Sequence, residues 1–171
     1  EAVRLGLSDL NEGLDPGTIS ADPKQPLAMD LNLNDGAVGH TQWILDNDDF
    51  SHYEPPSTSP TYSSTDRMEN AGYPLVPSWS TGENIAMVRK WPDAYDMMTG
   101  TTMNYENLFI DEGIGGRGHR LNICKDSFRE TGAGVLSGVF TAPDSKGIIR
   151  DWQAVAVTQD FASSAYIGDS R

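Results

Sequence analysis

The feature that most constrains the fold is a change of hydrophobic period in the last third of the chain. Residues 133–140 and 152–161 are predicted to be β-strands. A turn is predicted between them at residues 144–147. A strand that is apolar on both faces is expected in a sheet covered by helices on both sides. The second strand has this pattern, with Val155, Val157 and Phe161 on one face and Trp152, Ala154 and Ala156 on the other.

Helical periodicity dominates the chain before these strands. Residues 1–14, 27–45 and 92–108 each show apolar residues at the spacing of an amphipathic helix. Helices that come first and strands that come last indicate an α+β fold. The length of 171 residues suits a single domain. The small, polar stretch at 163–171 is expected to be a tail or a linker.

Composition excludes several classes of function. The formal net charge of −13 disfavours nucleic acid as a partner, because an anionic surface repels the phosphate backbone but attracts divalent cations. The sequence contains no run of about 18 apolar residues that could cross a bilayer. Cys124 is the single cysteine, so packing must hold the fold without an internal disulfide. The chain starts at Glu1 rather than Met, so we expect that a targeting segment has been removed.

The candidate site residues are two histidines and one acid. His52 and His119 lie in predicted loops rich in Gly, Pro and Ser, and Glu83 lies in a predicted loop turn that begins with a glycine. His40 lies at the edge of the apolar stripe of the second predicted helix, and we expect it to be a hydrogen-bonded core residue. On the residues alone, two interpretations stay open. One is a joint His/Glu/His site; in the other, Glu83 caps a helix, His119 binds a backbone carbonyl and His52 is exposed.

Several short motifs resemble those of one family. In chain order they are Phe50-Ser51-His52, Gly82-Glu83-Asn84-Ile85-Ala86 and Gly118-His119-Arg120 with Asn122-Ile123. Two further segments follow, from Phe128 to Gly132-Ala133-Gly134-Val135 and then Thr158-Gln159-Asp160-Phe161. Over about residues 27–162, which would be the core of one domain spanning 1–171, the chain resembles the bacterial branch of the CAP superfamily. This superfamily contains the cysteine-rich secretory, antigen and pathogenesis-related proteins, also described as SCP-like extracellular proteins.

The resemblance implies a three-layer α-β-α sandwich around a central antiparallel sheet, with a shallow cleft that holds two histidines and two acids. Carried over motif by motif, the histidines are His52 and His119, and the first acid is Glu83. The second acid precedes the second histidine in the family, although bacterial members often lack it, which would leave a triad. The candidates for this position, in order of preference, are Asp111, Glu112 and Glu106.

The resemblance also implies that members bind divalent metals through the two histidines. We expect a weakly held zinc ion, or another divalent cation, on His52 and His119, with Glu83 as a ligand or as an orienting partner. A secreted, monomeric protein with an extracellular ligand, lipid or protein partner is expected. Binding is favoured over turnover, because the sequence has no HExxH, GxSxG or GxxxxGK[ST] motif. The alternative is a metal-assisted, peptidase-like hydrolase that uses the same cleft.

Overall fold

A computed structural model describes residues 1–76 and 78–163. Its sheet has four strands in the order β1-β3-β4-β2. Strand β4 pairs antiparallel with β3, in agreement with the turn predicted between them, and also with β2, which the sequence did not predict. The two-residue β1 pairs parallel with β3, so the sheet is mixed and not fully antiparallel as the resemblance implies. The strand bounds are β1 (Ala28–Met29), β2 (Thr81–Lys90), β3 (Glu130–Pro143) and β4 (Ile149–Ala162).

Four α-helices accompany the sheet in the described residues: α1 (Leu31–Asn47), α2 (Ser64–Asn70), α3 (Met97–Ile110) and α4 (Gly118–Ile123). Helix α1 begins after Asp30, whose carboxylate accepts the N–H groups of Asn32 and Leu33. Helix α3 begins after Asp96, which accepts the N–H of Thr99 in the same way. These caps explain why both predicted helices start four to five residues later than their apolar periodicity suggests.

The sheet lies between α1 and α3. On β4, Ala154 and Ala156 pack with Ile44 of α1, whereas Val155 faces Gly100 of α3, where an added Cβ would come within 2.6 Å of the valine. This alternation follows the strand period of two, which places successive side chains on opposite faces. The predicted three-layer α-β-α architecture is therefore confirmed.

The prediction of a helix over residues 1–14 is wrong. This segment forms a series of turns, because Gly6 and Gly13 adopt φ values of 82° and 78° in the left-handed region, which interrupts a right-handed helix. Its apolar residues are buried nonetheless, and Ala2 and Leu7 pack against Phe109 of α3. The predicted periodicity therefore identified a buried segment but not its backbone conformation.

The end of the chain is described only as far as Ser163, whose backbone and side chain both hydrogen-bond to Ser80. The rest of the predicted tail at 163–171 lies outside the described residues, so its role stays a prediction. Within the described part of the chain, no helix has the length and apolar character that a bilayer crossing requires.

We predict opposite effects for two glycine-to-alanine changes. In Gly134→Ala, the new methyl group would overlap the Ala37 carbonyl of α1, so we expect a loss of about 1–3 kcal/mol in the free energy of unfolding. In Gly39→Ala, within α1, the methyl group meets no atom within 4 Å. The higher helix propensity of alanine should therefore raise the free energy of unfolding by about 1 kcal/mol. Urea unfolding followed by circular dichroism measures both changes, and two shifts of the same sign would contradict the packing described above.

Candidate functional site

Glu83 lies inside strand β2, not in the loop that the sequence predicts. It stands opposite Asp160 of β4 in the strand register, and its side chain is only 3% exposed. The strand was missed because polar residues at Glu83 and Asn84 interrupt its apolar pattern, although both are buried. A buried carboxylate requires compensating partners, and these define the first half of the site.

The Glu83 carboxylate joins a loop histidine to a helical arginine. One oxygen, Oε1, lies 2.7 Å from Nδ1 of His52, and the other, Oε2, accepts a hydrogen bond from Arg67 of α2. Burial alone would raise the pKa of Glu83, but the hydrogen bond from His52 and the charges of Arg67 and His40 outweigh burial and hold that pKa below its usual value. Since an ionised carboxylate can only accept, Nδ1 of His52 carries a proton, and Nε2 is the ring nitrogen that remains for a ligand.

Arg67 is a site residue that the sequence analysis missed. Helix α2 starts with a capping box in which Ser63 and Asp66 bond reciprocally, and Arg67 follows directly. Its guanidinium, 3% exposed, also donates to the backbone carbonyl of His52 at 3.2 Å. Both Arg67 and the adjacent Met68 are buried in the structure, but the sequence carries no signal that sets this arginine apart from an exposed one.

The second half of the site joins Asp111 to His119. Helix α3 ends at Asp111, which adopts a left-handed conformation with φ of 56° and a side chain only 1% exposed. Its Oδ1 lies 2.7 Å from Nδ1 of His119, and its Oδ2 accepts the backbone N–H groups of His119 and Arg120. The same carboxylate therefore orients the imidazole ring and satisfies the first turn of α4.

The other two candidates for the fourth position lie elsewhere. Glu112 is exposed to solvent, and Glu106 accepts hydrogen bonds from Arg4 at 3.2 Å. Of the three acids proposed from the sequence, Asp111 is thus the one that contacts His119.

One cavity brings the two halves together. His52, Glu83 and His119 all line a cavity of about 650 Å³, whereas Asp111 lies buried behind His119. The side chain of Asn84 donates to the His119 carbonyl at 3.2 Å. Asn122 in turn donates to Asn84 at 2.9 Å. These two amides belong to the motifs that carry the family resemblance, and they fix the backbone on which His119 stands.

Behind Glu83 lies a further group of buried ionisable side chains. His40 is fully buried with Nδ1 2.8 Å from Glu54, so it is the hydrogen-bonded core residue predicted from the sequence. Its Nε2 lies 4.0 Å from Oε2 of Glu83. Asp160 is also fully buried, and neither of its oxygens has a hydrogen-bond partner among the described residues. Burial and the neighbouring charge of Glu83 raise the pKa of Asp160 well above its usual value, against the opposing charge of Arg67.

The two imidazoles are the candidate metal ligands of this cavity. Each histidine of the cavity has Nδ1 engaged by a carboxylate, which leaves Nε2 as the nitrogen able to bind a metal. Over residues 1–76 and 78–163, no group of three or more His, Cys, Asp or Glu side chains is arranged to hold a metal. Two imidazoles could therefore bind a zinc ion only with water or an incoming ligand completing its coordination.

Comparison with known proteins supports the fold. No family model matches the sequence, and no curated protein matches it at a significant level. Among solved structures, the chain is similar to an extracellular protein that contains an SCP domain, from Bacillus anthracis str. Ames. The TM-score is 0.55 and the sequence identity 22%, and the match covers 82% of this chain but only 35% of that protein. The resemblance seen in the sequence motifs is thus confirmed at the level of the fold, and this chain aligns with about a third of its neighbour's length.

The buried carboxyl of Asp160 predicts a specific dependence of stability on pH. Because folding raises its pKa above the ordinary 3.8, its contribution to stability is complete below about pH 4 and is lost as the pH rises toward the folded-state pKa. Asp160→Asn removes this titration, so the variant should gain stability relative to the wild type as the pH is raised to neutrality. Urea unfolding at a series of pH values measures the difference.

Asp144→Asn is a control of opposite sign. The backbone N–H of Ile148 holds the pKa of Asp144 below its usual value, so this carboxylate contributes stability above its unfolded-state pKa and loses it as the pH falls. The variant should therefore lose stability relative to the wild type as the pH rises. Equal slopes for the Asp160 and Asp144 variants would contradict the assignment.

Proposed function

We propose that this protein, which has the fold of an SCP domain, is a secreted binding module whose His52 and His119 hold an exchangeable divalent cation, with zinc as the first candidate. The observation that carries the proposal is the pair of histidine–carboxylate contacts at one cavity. In both contacts, Nδ1 lies 2.7 Å from a buried carboxylate oxygen. Carboxylates placed in this way orient imidazole ligands and make their other nitrogen more basic toward a metal.

The expected affinity is modest. Two protein ligands leave half of a tetrahedral zinc shell to water or to an incoming ligand. The rings also differ in accessibility, since the side chain of His52 is 44% exposed and that of His119 is 22% exposed. An open coordination shell beside an accessible cavity favours an ion that exchanges and that can be shared with a bound partner.

Glu83 and Asp111 are assigned orienting roles. Glu83 uses one oxygen for His52 and the other for Arg67, and its side chain is 3% exposed. A general base for hydrolysis needs an oxygen that can reach a water molecule. Both oxygens of Glu83 are already engaged, so the geometry favours binding over the hydrolase alternative.

Secretion and the single-domain organisation belong to the same proposal. The similar solved structure is an extracellular protein, and an acidic surface of net charge −13 suits a protein that must remain dispersed outside the cell. The two histidines and the carboxylates that contact them all lie between His52 and His119. The proposal is therefore one domain of this fold over the described residues 1–76 and 78–163.

Isothermal titration calorimetry with zinc tests the metal site. The wild type should bind one zinc ion per chain, and the double variant His52→Ala/His119→Ala should show no binding. Asp111→Asn should weaken zinc binding by about 10-fold or more, because the amide no longer provides a charged acceptor for the His119 ring.

Glu112→Gln is the matched control for Asp111→Asn. It removes one negative charge at the adjacent, exposed position and should leave the zinc affinity unchanged. Heats of binding that are the same for the wild type and the double histidine variant would refute the metal site.

A further inference from the structure

The proposed metal-binding residues lie along a groove rather than at the bottom of a closed pocket. The cavity of about 650 Å³ shares His52 and Glu83 with a second cavity of about 360 Å³. The second cavity extends past Tyr53 and the start of α2 at Ser64. A small molecule would fill one of these cavities, whereas an extended chain could run through both and pass His52 on the way.

The far wall of the larger cavity comes from the segment that precedes the sheet. Thr18, Ile19 and Ser20 line it. The segment is firmly held, because the side chain of Asn11 donates to the Ile19 carbonyl at 3.0 Å and accepts the Ile19 N–H at 2.7 Å. Arg120, fully buried in α4, donates to two carbonyls of the same segment. This wall is therefore a fixed part of the groove.

The balance of charges that line the larger cavity differs from that of the whole protein. The chain has a net charge of −13, with 12 Lys and Arg residues against 25 acids, yet Lys24 and Lys125 both line the larger cavity. The buried Glu83 in that cavity is balanced by Arg67. Asp126 is the remaining acid of the lining. An anionic group of a ligand is therefore expected to bind near Lys24 and Lys125.

Lys24 has a partner that a ligand can replace. Its Nζ lies 2.5 Å from Oδ1 of Asp126, but the aspartate side chain is 73% exposed while the lysine is only 29% exposed. An exposed ion pair of this kind is weak in water. A ligand carboxylate entering the groove could displace Asp126 into solvent and take its place on the more buried lysine.

We propose that the groove binds an extended acidic peptide, with one of its carboxylates on Lys24 in place of Asp126. This inference deepens the proposed function, because it names the ligand class that would pass the metal-binding histidines. The lining of the larger cavity favours a peptide over a glycan. It places apolar Ile19 and Leu121 beside hydroxyl and amide groups, which suits the mixed polar and apolar surface of a peptide. Tyr53, an exposed aromatic residue on which a sugar ring could stack, lines the smaller cavity, so a glycan is an alternative outcome of the test.

Fluorescence anisotropy with a fluorescein-labelled oligopeptide of alternating Gly and Glu tests the proposal on metal-free protein. The same peptide with Gln in place of Glu serves as the neutral probe. The acidic peptide should bind more tightly than the neutral one. Lys24→Gln should weaken its binding about two- to fivefold, and Asp126→Asn should strengthen it by a similar factor, because the competing carboxylate is gone.

A second ion pair supplies matched controls. Lys90 and Asp93 lie 3.8 Å apart outside both cavities, and the exposure of Asp93, 74%, is close to that of Asp126. Lys90→Gln and Asp93→Asn make the same changes in net charge, so both should leave peptide binding unchanged. If these controls shift the affinity as much as the Lys24 and Asp126 variants do, long-range charge explains the effect and the proposal is overturned.

Cys124 reports where the peptide binds. It is the only thiol of the chain and lines the larger cavity. Burial raises the pKa of this thiol, so its alkylation by iodoacetamide is measured at mildly alkaline pH. The acidic peptide should slow the alkylation, and the neutral peptide should not. An unchanged rate at saturating acidic peptide would place the peptide outside the groove and overturn the proposal.

An oligogalacturonate probe distinguishes the competing ligand class. If it protects Cys124 while the acidic peptide does not, the groove takes an anionic glycan and the peptide assignment is wrong. Zinc calorimetry on Lys24→Gln separates the two proposals, because loss of the lysine should leave the zinc affinity unchanged. A failed zinc titration would remove the metal site alone, and a failed peptide experiment would remove the ligand assignment alone.

Discussion

The buried carboxylate of Glu83 is the constraint on which the cleft depends. A charge on a side chain that is only 3% exposed must be compensated within the protein. The two partners that contact it come from different parts of the chain. His52 stands on the loop after α1, and Arg67 stands on α2. Removing one partner of such a buried pair typically costs about 3–5 kcal/mol. The contacts of Glu83 therefore hold the loop after α1, helix α2 and strand β2 together. They also orient the ring of His52.

Structural and chemical roles thus coincide in these residues. The sequence left open whether the acids hold loops together or form a site. In the structure, Glu83 and Asp111 each contact a cavity histidine and also bind a group that stabilises the fold. Asp111 ends α3, accepts the first N–H groups of α4 and orients the His119 ring with one carboxylate. A group that is already required for folding is held rigidly, and rigid support is what a ligand side chain needs to keep its direction.

The sequence predicted secondary structure correctly where the spacing of apolar residues reflects burial. It failed where buried charged or polar residues interrupt that spacing. The two long strands and their cover of helices followed from apolar residues on both faces of residues 152–161. Strand β2 was assigned to a loop because Glu83 and Asn84 look unsuited to a sheet interior until their partners are known. Arg67 and Arg120 were missed for the same reason, since arginine is rarely fully buried unless it is paired. The position of Asp111 beside His119 required the motif resemblance, because spacing alone does not bring distant residues together.

Helix α4 has two roles, since it carries a histidine of the cavity and also holds the N-terminal segment in place. His119 faces the cavity, and the next residue, Arg120, points into the protein to bind carbonyls at Leu10 and Glu12 of the first segment. Adjacent residues on a helix point in different directions, so a helix of only six residues can serve both purposes. Because one rigid element positions both, a substitution that shifts the segment bearing Lys24 would also shift the imidazole. The motifs of the fold supply the histidines, whereas the segment before the sheet and the loop after α4 supply Lys24 and Lys125 at the edge of the same cavity.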